Sequence, residues 1–455
     1  MKLHARITAV TIASLALFGA AASARAEEPK FFEMSDGRFY DPTSGLSADS
    51  KGNLMKLLEA VMPVAPVTTA PDAAPLPPIQ NNAGTIQAAV IRARAMLQER
   101  MEADAGKKPA VVTTYDVWVD VTLAIWDART DEIRLVGAKK NGTGLKLDPL
   151  TAGDASVVVK KNNGVNSTFA VDQGERVVVA VRYPIFKDVS ISKKKPKYEL
   201  RDVIYTPYSS GLHTAEMVAW GQNTVRAEIA AAYEALRTSG VRSRAFPDRL
   251  LVDVIDPKLV EAIAIIEHVS LTALSPDNAE AGMGAFYVIL AGNQNDAYVY
   301  ARSSAGALGL VQFIPSTYAI MVKRKELNLI GDFTRGMTDP VNAIKAQIAY
   351  LDAILASMPL GVKDLYNVDP MRVNEYLAAA YNTGETRVKR AIVRWGDAWS
   401  EPHAAEIAAL AKKTGARSAA VNLMKKATLL PETVTYVKKL RQALKQLSPP
   451  ELPVT

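Results

Sequence analysis

The hydrophobic period of this chain turns from two to helical after Tyr205, and that change decides its architecture. Tyr115, Val117, Val119, Val121, Leu123 and Ile125 alternate with Asp116, Trp118, Asp120 and Thr122. A strand turns successive side chains to opposite faces, so this pattern buries one face and wets the other. Shorter runs of the same kind lie at 133–136, 157–160, 168–171 and 177–183, with turn signals at Asn141-Gly142 and Asn163-Gly164. After Tyr205 the period becomes helical: Val225, Ile229, Ala232, Tyr233 and Leu236 form one stripe within 223–239. Helical patterns follow at 257–269, 285–291, 340–355, 373–381, 402–412 and 431–447. Several begin with a capping residue and then proline, as in Asp339-Pro340 and in Glu401-Pro402 after Ser400. The fold class expected is α+β and multidomain: a small antiparallel β domain over 110–205, then a mostly α domain over 215–447.

The segments ahead of the β domain read differently. Lys2 and Arg6 open a short positive start, 7–22 is apolar, and Ala24-Arg25-Ala26 offers a cleavage site. Residues 1–26 therefore read as a cleaved signal peptide, with an uncleaved anchor as the alternative, and a periplasmic location follows. Residues 27–62 form an N-terminal segment with a helix candidate at 54–62. Six prolines between Pro63 and Pro78 mark 63–84 as an extended linker. A helix is expected over 85–109, where Ile86, Val90, Ile91 and Leu97 share a face.

Composition removes several kinds of chemistry. The chain has no cysteine, which excludes disulfides, Cys-ligated zinc and a thiol nucleophile. His4, His213, His268 and His403 are scattered without metal-ligand spacing, and Glu267-His268 belongs to no zinc motif. No metal or cofactor is expected. The formal charge is +7, of which Lys2, Arg6 and Arg25 of the leader supply three; the mildly basic remainder suits a polyanionic partner and is too weak to indicate nucleic acid. Gly142-Thr143-Gly144 lacks the rest of a phosphate-loop fingerprint, and Lys193-Lys194-Lys195 reads as a solvated loop.

The chemistry concentrates between Ser303 and Tyr318. Small residues and Gly306 and Gly309 precede a stretch read as a short apolar helix carrying Gln312, closed by Pro315 and Thr317. Glycines at that density let backbone approach a ligand closely, and Gln312 offers a donor and an acceptor to a sugar amide. A helix-packing turn rich in small residues would read the same way.

This run resembles the S-x-x-G-A-x-G-L-x-Q-x-x-P-x-T signature of SLT-type lytic transglycosylases, which share a fold with goose-type lysozyme. Other elements of that family appear in order across roughly 250–440. Asp339-Pro340 with Asn342 and Tyr350-Leu351 resembles the following helix, and Ala379-Ala380-Tyr381-Asn382-Thr383-Gly384 its A-Y-N-A-G turn. Leu430-Pro431-Glu432-Thr433 with Tyr436-Val437 resembles its closing P-x-E-T-x-x-Y-V. The resemblance implies a lysozyme-like helical domain that cleaves peptidoglycan with one glutamic acid. That acid protonates the leaving oxygen, then takes the proton of the muramic acid's own 6-hydroxyl, leaving a 1,6-anhydro end. Ordinary glycosidases use two carboxylates.

The chain departs from the family where the acid should lie. Counting back from Gly306 lands on Gln294, which cannot deliver a proton. The apolar run ending in Ile265-Ile266-Glu267-His268 resembles the family's acid-bearing helix, so Glu267 is assigned as the acid, with an extra segment at about 270–300. Asp296 and Glu280 are alternatives, and so is a domain without an acid. Ser304 and Gln312 would contact the sugars. Tyr381 and Asn382 would flank the acid, the tyrosine hydroxyl bonding to it or to substrate, and Glu432 matches a motif carboxylate. A non-catalytic peptidoglycan-binding module of an envelope assembly, with the β domain as its partner surface, is the competing reading. Simple muramidase hydrolysis is a third.

Overall fold

The computed structural model describes residues 85–106, 111–113, 118–171, 175–191 and 195–448, with a two-strand pair at Tyr40–Asp41 and Leu46–Ser47. The leader at 1–26, the helix candidate at 54–62 and the proline-rich 63–84 lie outside the described residues. So do Tyr115 and Val117 of the first strand pattern, and Lys193 and Lys194.

Helix α1 (Ile86–Ala103) starts where Thr85 accepts the N–H of Ala88, satisfying one of the donors a helix leaves free at its start. Eight strands follow: β1 (Val111–Val112), β2 (Val119–Asp127), β3 (Glu132–Asn141), β4 (Gly144–Leu147), β5 (Val157–Lys161), β6 (Thr168–Val171), β7 (Arg176–Asp188) and β8 (Tyr198–Tyr205). Six of them form one antiparallel sheet in the order β1-β8-β7-β2-β3-β4. Its edge strands are short, which limits the unpaired backbone offered to another chain.

The alternation in β2 buries more than one face. Val121, Leu123 and Ile125 pack with Val136, Val178 and Val181 under the β5–β6 pair, through Val157, Val159 and Phe169. From Ala124 onward the other face is covered too. Ala124, Trp126, Val179 and Ala180 lie against Ile86, Ala89, Val90, Ala93 and Leu97 of α1. Val288 and Ala291 join that cluster from the helical part, so α1 is a wedge between sheet and helices. Polar contacts hold it in place. Arg92 Nη1 donates to Asp131 Oδ2 at 2.9 Å, and Arg182 bridges Asp104 and Asp202 at 2.8 and 2.7 Å.

Strand β7 runs through Pro184, where a sequence reading stops at Tyr183. Proline has no N–H to give to a ladder. Pairing of β7 with β2 reaches only Arg182, so Pro184 needs a partner on the β8 side alone, opposite Asp202.

The rest is helical: α2 (Ala215–Thr238), α3 (Pro257–His268), α4 (Ala279–Asn293), α5 (Pro340–Ser357), α6 (Pro370–Thr383) and α7 (Pro431–Leu447) make its frame. Asp256, Asp339 and Asp369 each cap a helix whose first residue is proline, accepting from Lys258, Asn342 and Arg372. Pro402 does not play that part. The helix there is Ala404–Thr414, and His403, stacked on Trp395 at 3.6 Å, stands before it. Helix α3 is buried from Leu259 to Ile266, apolar there except for Glu261, which accepts from the Tyr287 hydroxyl at 2.7 Å and pairs with Arg226 at 3.4 Å. Gly221 lets α2 and α4 cross closely: a Cβ there would meet the Tyr287 carbonyl oxygen at 1.8 Å. Among the described residues, no helix is long and apolar enough to cross a membrane.

Candidate active site

The site forms where buried α3 runs out. Val269 adopts an extended conformation and ends the helix, leaving Glu267 and His268 in its last turn. His268 stacks on Tyr298 at 3.9 Å, and its Nε2 lies 2.9 Å from the Leu310 carbonyl oxygen. A carbonyl only accepts, so the ring carries its proton on Nε2. Burial pushes the imidazole down to about 4, and it stays neutral at ordinary pH.

The run from Ser303 to Phe313 is not a helix. It is a folded loop in which Leu308 bridges to both Arg302 and Phe313, and a helix begins only at Pro315–Val322. The backbone explains the difference. Gly306, Gly309 and Gln312 have φ of 81°, 77° and 49°, values a right-handed helix cannot contain. At Gly309 a Cβ would also meet the Met337 carbonyl oxygen at 2.1 Å. Ser303 Oγ accepts the N–H of Ala307 within the turn, while Ser304 is exposed. Gln312 Nε2 donates to the carbonyls of Ala301 and Gly309 at 3.0 and 2.8 Å, so its amide nitrogen serves the loop and its Oε1 is what remains for a ligand.

Two successive carbonyls of this loop are held from either side: Leu310 by His268, and Val311 by the Tyr381 hydroxyl at 2.6 Å. Tyr381 lies on α6 with its ring 5.5 Å from both Phe313 and Tyr350. It adjoins the site, but its hydroxyl belongs to the loop and not to Glu267. That hydrogen bond comes from α7: Tyr436 donates to Glu267 Oε1 at 2.6 Å. Lys439, one turn further on α7, is buried and electrostatically coupled to Glu267. Burial raises the Glu267 carboxyl to about 7, against the opposing pull of the Tyr436 hydrogen bond and the Lys439 charge. At neutral pH it is therefore divided between acid and carboxylate, the state that general acid–base work requires.

The other candidates separate. Asn382 Oδ1 accepts from Thr433 Oγ1 at 2.9 Å, tying α6 to α7. Glu432 stands in the first turn of α7, and its buried Oε1 has no hydrogen-bond partner among the described residues. Gln294 closes α4 at a φ of 50°, donates to Ala291 O at 2.7 Å and accepts from Thr224 at 3.3 Å. Asp296 pairs with Arg94 of α1 at 3.4 Å. Glu280 is exposed in the first turn of α4. The segment between Glu267 and the signature loop does contain a helix, α4 itself.

Sequence reasoning placed Tyr436 in a motif without giving it a role, and missed Lys439. Their spacing of three puts them on one helical face, a signal that gains meaning only once that face is known to meet Glu267.

Comparison with known proteins bears on the same loop. Residues 297–400 match the family model described as the Transglycosylase SLT domain. The match takes in the signature loop, Ser304, Gln312, Tyr381 and Asn382, and leaves Glu267, Glu432, Tyr436 and the whole β domain outside. It supports an enzyme of the lytic transglycosylase type with peptidoglycan as substrate. No curated protein matches the chain.

Proposed function

We propose that this chain, which carries a transglycosylase SLT domain at 297–400, cleaves the MurNAc–GlcNAc β-1,4 bond of peptidoglycan and leaves 1,6-anhydroMurNAc ends. The observation that carries the reading is the half-buried Glu267 carboxyl, raised to about 7 and aligned by the Tyr436 hydroxyl. Protonated Glu267 gives its proton to the leaving glycosidic oxygen as the C1–O bond breaks and the electron pair passes to that oxygen. The Glu267 carboxylate then takes the proton of the 6-hydroxyl while O6 bonds to C1. The acid is regenerated and no water is consumed. Tyr436 holds one carboxyl oxygen, leaving Oε2 to face the glycosidic bond. The signature loop, with Gln312 Oε1 and exposed Ser304, lies on the sugar side.

The place of action that fits is the periplasm, reached through the leader read at 1–26. The β domain, covered on both faces, would serve as an accessory module, meeting any envelope partner at its edges.

The test is digestion of purified sacculi followed by mass spectrometry. Anhydro muropeptides, lighter by one water than hydrolysis products, are expected from the wild type. Glu267→Gln should lose about 10²–10⁴-fold in rate with the fold intact. Hydrated products would make the enzyme a muramidase. Sacculus binding with no product from the wild type would make it a binding module.

A further inference from the structure

Helix α7 presents two residues to the acid, and the second has no explained role. Tyr436 and Lys439 are three apart and share a face. Both are nearly inaccessible, at 3% and 7% exposure, and Lys439 Nζ lies 5.9 Å from the Tyr436 ring centroid. Neighbouring Arg441 is committed elsewhere, bidentate to Glu375 at 2.6 and 2.7 Å. Lys439 makes no hydrogen bond or ion pair among the described residues; burial pushes its ammonium down to about 8, against the pull of the nearby Glu267 charge. An ammonium in such a place is costly unless an anion faces it. The anion here exists during only part of a catalytic cycle.

We propose that Lys439 is the positioning counter-charge of the acid: it stabilises the Glu267 carboxylate left once the proton has passed to the leaving oxygen. This rests on the lytic reading above. Without that charge, a carboxylate in an apolar pocket would recapture its proton before the 6-hydroxyl could supply one. With it, the acid and carboxylate forms lie close in energy, and both halves of the reaction proceed from one residue. The titratable groups around the pair are Glu267 and His268 from α3, Tyr381 from α6 and Tyr436 from α7. His268 is neutral, and burial holds both tyrosine hydroxyls in their protonated form. In the neutral range the charge of the pocket is thus set by Glu267 and Lys439.

The experiment is the pH–rate profile of the full chain on sacculi, with Lys439→Met, Lys439→Gln and Lys439→Arg. A required proton donor makes the rate fall as pH rises through the Glu267 value, so the alkaline limb reports that group. Loss of the neighbouring cation raises the value. The limb of Lys439→Met, and of Lys439→Gln should Met disturb the fold, is expected to move up by about one pH unit or more. The maximal rate should fall about tenfold, and Lys439→Arg should bring the limb back. A reduced rate with an unmoved limb would overturn the proposal, leaving Lys439 a packing residue. Titration of the carboxyl by ¹³C NMR, assigned with Glu267→Gln, reads the same shift without turnover. An inactive wild type whose Glu267 still responds to Lys439 would reject the lytic reading, and with it any catalytic role for the pair. An active enzyme whose Glu267 ignores Lys439 would reject this inference alone.

Discussion

Two helices of this protein end alike in sequence and differently in space. Both α3 and α4 are buried, largely apolar and finished by a polar residue of glutamate shape, Glu267 near the end of one and Gln294 just after the other. Glu267 accepts from Tyr436 and lies within the reach of the Lys439 charge, while its neighbour His268 holds the loop that Tyr381 also holds. Gln294 meets Thr224 and its own helix, next to the seam where Arg94 of α1 donates to Asn293 at 3.2 Å. Asn293 in turn closes on the backbone of Thr206 at 2.8 Å in both directions. The end of an apolar helix raises a carboxyl, but a second element must supply the proton partner and the counter-charge. One terminus resembles an acid site; the other is a joint between sheet and helices.

That contrast can be broken most directly at Tyr436. Tyr436→Phe removes the hydrogen bond to Glu267, and the rate on sacculi is expected to fall about 10–100-fold, the cost of about 1.5–3 kcal/mol for a bond to a charged group. Because the bond lowers the Glu267 value, its loss should also move the alkaline limb upward. An unchanged rate would remove Tyr436 from the site.

Stability as a function of pH sharpens the same comparison. The folded Glu267 holds its proton up to about 7, whereas an unfolded glutamate loses it near 4.5. Between those values the native state binds more protons, so stability falls as pH rises, and the full penalty stands above 7. Glu228, buried with both carboxyl oxygens unpartnered among the described residues and raised to about 8 by burial, contributes in the same sense. The difference between wild type and Glu267→Gln isolates the first group. The variant should be more stable by about 1–3 kcal/mol at pH 8 and nearly equal at pH 4, read by urea unfolding. Equal curves at both pH values would mean that Glu267 is solvated.

The smallest effect is expected at the seam. Gln294→Glu replaces the amide that donates to Ala291 with an acceptor facing a carbonyl, and should cost about 1 kcal/mol in urea unfolding at neutral pH. In the Glu267→Gln background it should restore no lytic activity. Any recovery would move the acid to residue 294.

The sequence showed where strands give way to helices, and the run that the family model matches. The change of period separates strands from helices because pleat and helix turn side chains by different angles. Thr168–Val171 and Pro431–Leu447 carry the bounds that pattern alone suggests. It failed where neighbours override local pattern. Tyr198–Tyr205 shows no clean alternation and becomes a strand because β7 lies beside it. The signature reads as a helix by composition and folds as a loop because three residues take positive φ. Only the tertiary structure decided which tyrosine faces Glu267. Tyr381 and Tyr436 both stand in motif-like runs, and sequence cannot tell which hydroxyl goes to Val311 and which to Glu267. A hydrogen bond depends on the relative placement of two helices, and that placement is set by packing across the whole bundle.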